Sequence, residues 1–291
     1  MVKKYSDLYL DARRALLQQE DAATAGLMAR NLLAHYSGRT QEEILSDRDM
    51  YAGEDICRSV EDAVKRLLEG EPLPYVLGEW EFYGLTLTVD RNVLIPRDDT
   101  VAVASLAINQ GIFLNHDPRV LDLCTGSGCI GLAIASRIKD ARVTLADISK
   151  DALAVAKKNI TAHKLSGRVS CVQADALSPA PAFLGKFDMI VSNPPYITGA
   201  EMAELPDSVK LYEPHIALFG GRDGLDFYRS IAANYTRALK PGGYLALEFG
   251  DTQGDDVCRI LEDHGYTILE RTRDYNDRER AVLAQYGRKE D

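Results

Sequence analysis

The sequence predicts an α/β protein, a doubly wound parallel sheet preceded by a small helical bundle, with a β-hairpin between the two. Three observations predict it. Apolar residues recur at helical spacing from Ser6 to about Gly70; short apolar runs alternate with helical ones from Arg119 onward; glycines and prolines punctuate the runs. Alternation of this kind builds a parallel sheet covered on both faces. A chain of 291 residues has room for a small domain beside a medium one.

In the first region Leu8, Ala12 and Leu16, then Leu27, Leu32 and Leu33, then Ile56, Val60, Val64, Leu67 and Leu68 repeat at helical intervals. Gly38 and Gly70 close two of the runs, and Thr40 with Glu43 has the spacing of a capping box. Pro72 and Pro74 are expected to end the helical region. Alternation over Glu81–Asp90 around Gly84, followed by Val93–Pro96, gives the hairpin. A helix over Val101–Ile112 leads into strands at Arg119–Leu123, Val143–Ala146, Val169–Gln173, Phe187–Ser192, Tyr244–Glu248, Tyr266–Arg271 and Ala281–Gln285. Helices fit between them, at about 130–138, 149–163, 225–239 and 255–264, the third stopped by Pro241-Gly242-Gly243. The expected domains are a helical partner-binding domain over 1–78, a hairpin linker over 79–97 and a catalytic domain over 98–291.

Composition narrows the function. Lys+Arg 34 against Asp+Glu 44 gives a net charge of −10, which disfavours sequence-blind nucleic-acid binding through phosphate neutralisation. Residues 1–78 are acidic too, with 10 Lys+Arg and 14 Asp+Glu. Five scattered cysteines without a C-x-x-C pair point to a reducing compartment, and no apolar run suits a signal region or a membrane helix. A cytoplasmic protein without membrane attachment is expected.

Ligands of doubly wound sheets bind beyond the carboxyl ends of the strands. At the first such end lies Asp122-Leu-Cys124-Thr125-Gly126-Ser127-Gly128-Cys-Ile-Gly131, where glycines let a ligand approach the backbone. Their spacing also matches a dinucleotide fingerprint. Asp122 favours another ligand, because a carboxylate there repels a pyrophosphate and suits a cationic amino-acid portion such as that of S-adenosylmethionine. Asp147 ends the next strand, placed to accept from ribose hydroxyls or to cap the following helix. Asp175, beside Ala176, is placed to meet an adenine amino group, or is a simple turn residue.

The most informative strand end is Asn193-Pro194-Pro195-Tyr196. Two prolines remove the N–H donors, so the turn offers a ligand the Asn193 amide oxygen and the Pro194 carbonyl as acceptors, which suits a planar NH₂ group. Tyr196 adds a ring that can stack on it. None of the five histidines, His35, His116, His163, His215 and His264, has metal-like or triad spacing, and neither a metal nor a histidine base is expected.

These residues resemble the S-adenosylmethionine-dependent amino-methyltransferases and, more closely, the HemK-type peptide chain release factor glutamine N5-methyltransferases. The matching stretches are Pro74-Tyr75-x-x-Gly78 with Glu81-Phe82, Val93–Arg97, Asp122–Ile130, Asn193–Ile197, Glu213–Leu225 and Arg273–Arg280. The resemblance implies a seven-stranded Rossmann-like class I methyltransferase domain. It implies S-adenosylmethionine held by Asp122, Cys124, Thr125, Gly126, Ser127, Gly128, Asp147, Asp175, Ala176 and Asn193, leaving S-adenosylhomocysteine as product. It implies that Asn193, Pro194, Pro195 and Tyr196 form the catalytic turn, and that class-1 release factors are the protein substrate. The chain departs from the family at Asp98-Asp99-Thr100, where Pro-Glu-Thr-Glu is usual after Arg97, and at Cys124, where glycine is common.

Two other enzymes share the acceptor turn, a glutamine methyltransferase of a ribosomal protein and an adenine N6-methyltransferase of nucleic acid. The second needs a basic cradle for flipped bases, which the net charge and the lack of a Lys/Arg-rich insertion after Tyr196 count against. A non-catalytic binding module would show a broken loop or turn, and both are intact.

Overall fold

A computed structural model describes residues 2–114 and 117–287. His116 and residues 288–291 at the end of the expected catalytic domain lie outside the described residues. The chain forms two compact units, one of residues 1–78 with 207–212, the other of residues 79–206 with 213–291.

The first unit is helical, over Tyr5–Leu16, Ala22–Ser37, Gln41–Ser46, Glu54–Leu68 and Leu73–Leu77, with the short helix Asp207–Tyr212 joining from later in the chain. Local chemistry sets its boundaries. The Asp21 carboxylate accepts from Ala23 N and Thr24 N, Gly38 closes the second helix at φ 66°, and Thr40 with Glu43 forms the expected capping box. The core contains Leu8, Ala12, Leu16, Leu32, Leu33, Val60, Val64 and Leu67, whereas Leu27, which fitted the same periodicity, is exposed.

Pro72 and Pro74 do not end the helical region. Pro72 caps the short helix Leu73–Leu77 and Pro74 sits in its first turn, where a missing N–H leaves no bond unmade. Arg66 holds this helix in place by gripping Glu71 through two bonds of 2.8 and 3.0 Å and donating to the Tyr75 and Val76 carbonyls.

The second unit opens with the hairpin, β1 (Glu79–Phe82) and β2 (Leu85–Thr88). Its turn residues Tyr83 and Gly84 have φ of 53° and 79°, as a tight two-residue hairpin turn requires. Asn159, fully buried, takes Thr88 N on Oδ1 at 2.7 Å and donates Nδ2 to Thr88 O and Ser127 O. One amide thereby ties the hairpin to the glycine loop.

Seven strands follow: β3 (Arg119–Leu123), β4 (Arg142–Asp147), β5 (Val169–Gln173), β6 (Phe187–Ser192), β7 (Leu239–Glu248), β8 (Tyr266–Arg273) and β9 (Glu279–Tyr286). They form one sheet in the order β5-β4-β3-β6-β7-β9-β8. β3 to β7 are parallel, as the strand–helix alternation predicts, and β9 runs antiparallel to both β7 and β8, which makes the seven-stranded sheet mixed. The connection over 274–278 is too short to cross back over the sheet, which leaves antiparallel pairing as the solution. A second correction concerns Pro241-Gly242-Gly243, which lies inside β7 instead of stopping a helix; the preceding helix is Asp226–Asn234.

The sheet buries both faces. Ile130, Leu132, Val143 and Leu145 pack on one side with Val103 and Ile160, while Leu121, Leu123, Ile190 and Leu247 pack on the other with Tyr228, Ile231, Val257 and Leu261. Strand order reverses between β3 and β6, and a ligand crevice forms beyond the carboxyl ends of strands at such a point.

Candidate active site

The glycine loop leaves the end of β3. Gly128 at φ 86° caps the helix Cys129–Arg137, and a Cβ on Gly131 would lie 2.3 Å from Leu145 Cδ2, so helix and strand pack at a distance only glycine permits. Asp122 sits wholly inside this loop. Its Oδ2 accepts from the Thr125 hydroxyl at 2.6 Å and Gly131 N at 2.8 Å, while Oδ1 has no hydrogen-bond partner. Burial raises its pKa to about 7. Asp147, at the end of β4, binds Gly126 N and Ser149 N, each at 2.9 Å, and Ser149 rather than Asp147 caps the next helix through Ala152 N. Burial also pushes the Asp147 carboxyl upward.

Beside this loop is a cleft. Among the predicted residues, Cys124, Gly126, Asp147, Asp175, Ala176, Asn193 and Pro195 line it, together with Ile148, Ala174, Leu177 and Phe227. Asp122, Thr125, Ser127, Gly128, Pro194 and Tyr196 stand behind the lining. Among the described residues, the charged side chains on the lining are Asp147 and Asp175. With carboxylates and no cation among its lining residues, the cleft disfavours a bare pyrophosphate and suits a ligand that carries positive charge. A Cβ on Gly126 would meet nothing within 4 Å, so the backbone there faces open space, as close approach of a ligand needs. S-adenosylmethionine fits such a wall: carboxylates for its ribose and cationic parts, apolar Ile148, Leu177 and Phe227 for a flat base. The Asp175 carboxylate is also engaged locally, with Leu177 N at 2.8 Å and the Ser178 hydroxyl at 2.7 Å.

The acceptor turn follows β6. Asn193 donates Nδ2 to the Thr100 hydroxyl at 3.2 Å, which turns the amide oxygen away from Thr100. Among the described residues, nothing donates a hydrogen bond to Asn193 Oδ1 or to the Pro194 carbonyl. Asn193 is on the cleft lining, and Pro194 lies just behind it. The turn is held from outside. Gln253 donates to Tyr196 O at 3.1 Å, Ile197 exchanges backbone bonds with Leu218 and Gly220, and a Cβ on Gly220 would lie 2.5 Å from Tyr196 Cα. Glu213 takes Ile95 N at 3.2 Å and pairs with Arg97, fastening the segment before the turn of 98–100 to Pro214 on the cleft wall.

Two relatives of this chain carry the same name. The release factor glutamine methyltransferase of Clostridium acetobutylicum is 40% identical over 256 residues, 88% of this chain and 90% of its own length. The Chlorobaculum tepidum protein of the same name is 39% identical over 89% of this chain and 90% of that one. The chain belongs to the release factor glutamine methyltransferase family. Residues 98–206 match the Methyltransferase small domain and residues 9–78 the PrmC N-terminal domain. A methyltransferase from Pyrococcus furiosus shares the fold, with TM-score 0.51 at 18% identity over 78% of this chain and 100% of that one.

In this glutamine methyltransferase family member, sequence reasoning missed the residues behind the turn. Glu248, 1% exposed at the end of β7, has an Oε2 without a hydrogen-bond partner, and burial raises its pKa to about 7. Arg280, on β9, reaches Asp99 at 3.4 Å and Asp274 at 3.1 Å. A carboxylate closing the apolar run Leu245-Ala-Leu-Glu248 was the one available signal, since glutamate is rarely buried without a role. Tyr196 is mostly buried against Tyr228's side of the sheet rather than standing on the cleft wall.

Proposed function

We propose that this protein methylates the side-chain amide nitrogen (N5) of the glutamine in the Gly-Gly-Gln loop of class-1 peptide chain release factors, using S-adenosylmethionine. The single observation that carries the substrate chemistry is the pair of unengaged acceptors, Asn193 Oδ1 and the Pro194 carbonyl, beside a cleft whose charged walls are all acidic. A primary amide presents two N–H donors in one plane, and the two acceptors match them. Asp147, Asp175, Gly126 and the apolar wall around Ile148 would hold the cofactor, which supplies a methyl group on a positively charged sulfur.

The residues of this chain then account for the rate. An amide nitrogen is a poor nucleophile because its lone pair is conjugated with the carbonyl. Hydrogen bonds from its N–H groups to Asn193 and Pro194 stabilise positive charge as it builds on nitrogen, and they hold the nitrogen in one orientation. The apolar wall excludes water, which strengthens both bonds.

The experiment is to supply radiolabelled S-adenosylmethionine with a purified class-1 release factor, a ribosomal protein mixture, or total tRNA and DNA. Mass spectrometry then locates the label. Label on the Gly-Gly-Gln glutamine is the expected result; label confined to a ribosomal protein or to nucleic acid would overturn it.

A further inference from the structure

We propose that Ile216 sets specificity at the mouth of the cleft: it stands on the acceptor-turn side of the rim and admits a glutamine preceded by glycine, whereas a Cβ on the preceding residue collides with it. The inference rests on the amide-methylation reading above and names what that site selects.

The cleft has a closed floor and an open rim. Ala152, Ala174 and Ala176 on its lining are buried, while Ile148, Leu177 and Ile216 on the same lining are 44%, 49% and 54% exposed. A single exposed aliphatic side chain is ordinary, but three around one cleft make an apolar mouth that a bound molecule covers. The three divide by origin. Ile148 follows the end of β4 and Leu177 the end of β5, near Asp147 and Asp175, so both belong to the half of the cleft that suits the cofactor. Ile216 comes with Pro214 and Ala217 from a strap over 213–220.

The strap is fastened at both ends, and its far end is tied to the acceptor turn. Glu213, buried, takes Ile95 N at 3.2 Å and pairs with Arg97. Ile197, the residue after Tyr196, donates its N–H to Leu218 O and accepts from Gly220 N, each at 2.9 Å. Between these ends Ala217 N donates to Pro214 O at 2.9 Å and Leu218 N to His215 O at 3.1 Å, and the Leu218 side chain is buried. The Ile216 backbone therefore has little freedom to withdraw. A wall on a rigid backbone discriminates by shape, because a larger neighbour cannot push it aside without breaking these bonds.

A glutamine side chain is short, so placing its amide at Asn193 brings the chain on either side of it to the mouth. Glycine, with no Cβ, lets a backbone lie close against an aliphatic wall. Its CH₂ then covers Ile216 and keeps water from the two amide bonds, which strengthens them. An alanine in that place puts a methyl group where Ile216 stands.

Two purified class-1 release factors test this, one with the Gly-Gly-Gln loop and one with Gly-Ala-Gln in its place. For each, kcat/KM is measured with the unmodified chain, Ile216→Ala and Leu177→Ala, together with KM for S-adenosylmethionine. The unmodified chain prefers Gly-Gly-Gln by about 10- to 100-fold, the range for one methyl group in an apolar site. Ile216→Ala narrows that preference by about fivefold or more, through faster methylation of Gly-Ala-Gln, and leaves KM for S-adenosylmethionine within about twofold. Leu177→Ala does the reverse: KM for S-adenosylmethionine rises about fivefold or more and the preference stays.

A preference that survives Ile216→Ala overturns the proposal, and so does an unmodified chain that methylates both release factors equally well. A raised KM for S-adenosylmethionine in Ile216→Ala with an unchanged preference overturns it by placing Ile216 in the cofactor's half. An unmodified chain that methylates neither release factor overturns the substrate assignment itself, and the inference falls with it.

Discussion

The glycine loop after β3 and the acceptor turn after β6 stand side by side where the strand order reverses, yet they are held in opposite ways. The loop binds itself. Asp122, one residue before the end of its own strand, takes the Thr125 hydroxyl and Gly131 N, and Asp147 of the neighbouring strand takes Gly126 N. The acceptor turn has no such means, because Pro194 and Pro195 lack the N–H groups with which a turn usually closes. It is held by Thr100, Gln253 and the close approach of Gly220, which are remote in sequence. A turn that must keep its carbonyls open for a ligand has to be scaffolded from elsewhere. Damage to the turn is therefore expected in the rate, and damage to the loop in the stability.

The largest expected effect is on the rate. Asn193→Ala removes one of the two acceptors and should lower kcat by about 10²- to 10³-fold, the usual loss for one preorganised hydrogen-bonding group in a dry site. The folded protein loses only the bond to Thr100, about 1 kcal/mol. Steady-state kinetics beside a thermal melt checks this. A large fall in melting temperature with an unchanged kcat would break the comparison.

The next effect belongs to the loop and is read from stability against pH. Buried Asp122 has a pKa of about 7, against 3.8 for a free carboxyl, so between these values the folded chain holds a proton that the unfolded chain has lost. Its contribution to stability is present at low pH, falls as the pH rises from about 4 to about 7, and is level above. Asp122→Asn has no such proton, and its amide oxygen still accepts from Thr125 and Gly131. From about pH 4 to about pH 7 the variant should gain on the unmodified chain by at least on the order of 1 kcal/mol. Urea melts at both ends of that range check it, and parallel curves would show Asp122 to be ionised throughout.

The same contrast explains what was legible in the sequence. All seven strands of the sheet were, most of them as short apolar runs between turn residues. The direction of β9 was not, because Ala281-Val-Leu-Ala284 is buried on both faces and shows the same unbroken apolar run whichever way it pairs. At the site, the loop's bonds join residues close in sequence or at neighbouring strand ends, and Asp122, Gly126 and Asp147 could be named from spacing, with Thr125 added by the family resemblance. Thr100 is 93 residues from the amide it orients, and no local pattern announces such a contact. Pro72 and Pro74 misled for a different reason: the rule that proline stops a helix does not apply in the first turn.

Cys124 gives the smallest effect and the sharpest test of how the loop is built. It replaces the glycine common in the family, and its φ is 60°, a left-handed conformation in which a Cβ costs roughly 1 kcal/mol. Cys124→Gly removes that cost, but it also frees the unfolded chain by about 0.5–1 kcal/mol and gives up the contacts of a half-buried thiol. These terms nearly cancel, and the melting temperature should move by no more than a few degrees. Cys124→Val keeps an apolar side chain of similar size but adds a branch at Cβ, for which this φ is far less tolerable. The expected order of stability is therefore Gly close to Cys and both above Val, read from thermal melts of the three chains. A valine variant as stable as the cysteine chain would mean that the loop relaxes out of the left-handed conformation, and that the bonds from Asp122 and Asp147 do not impose the backbone geometry on which the close approach at Gly126 depends.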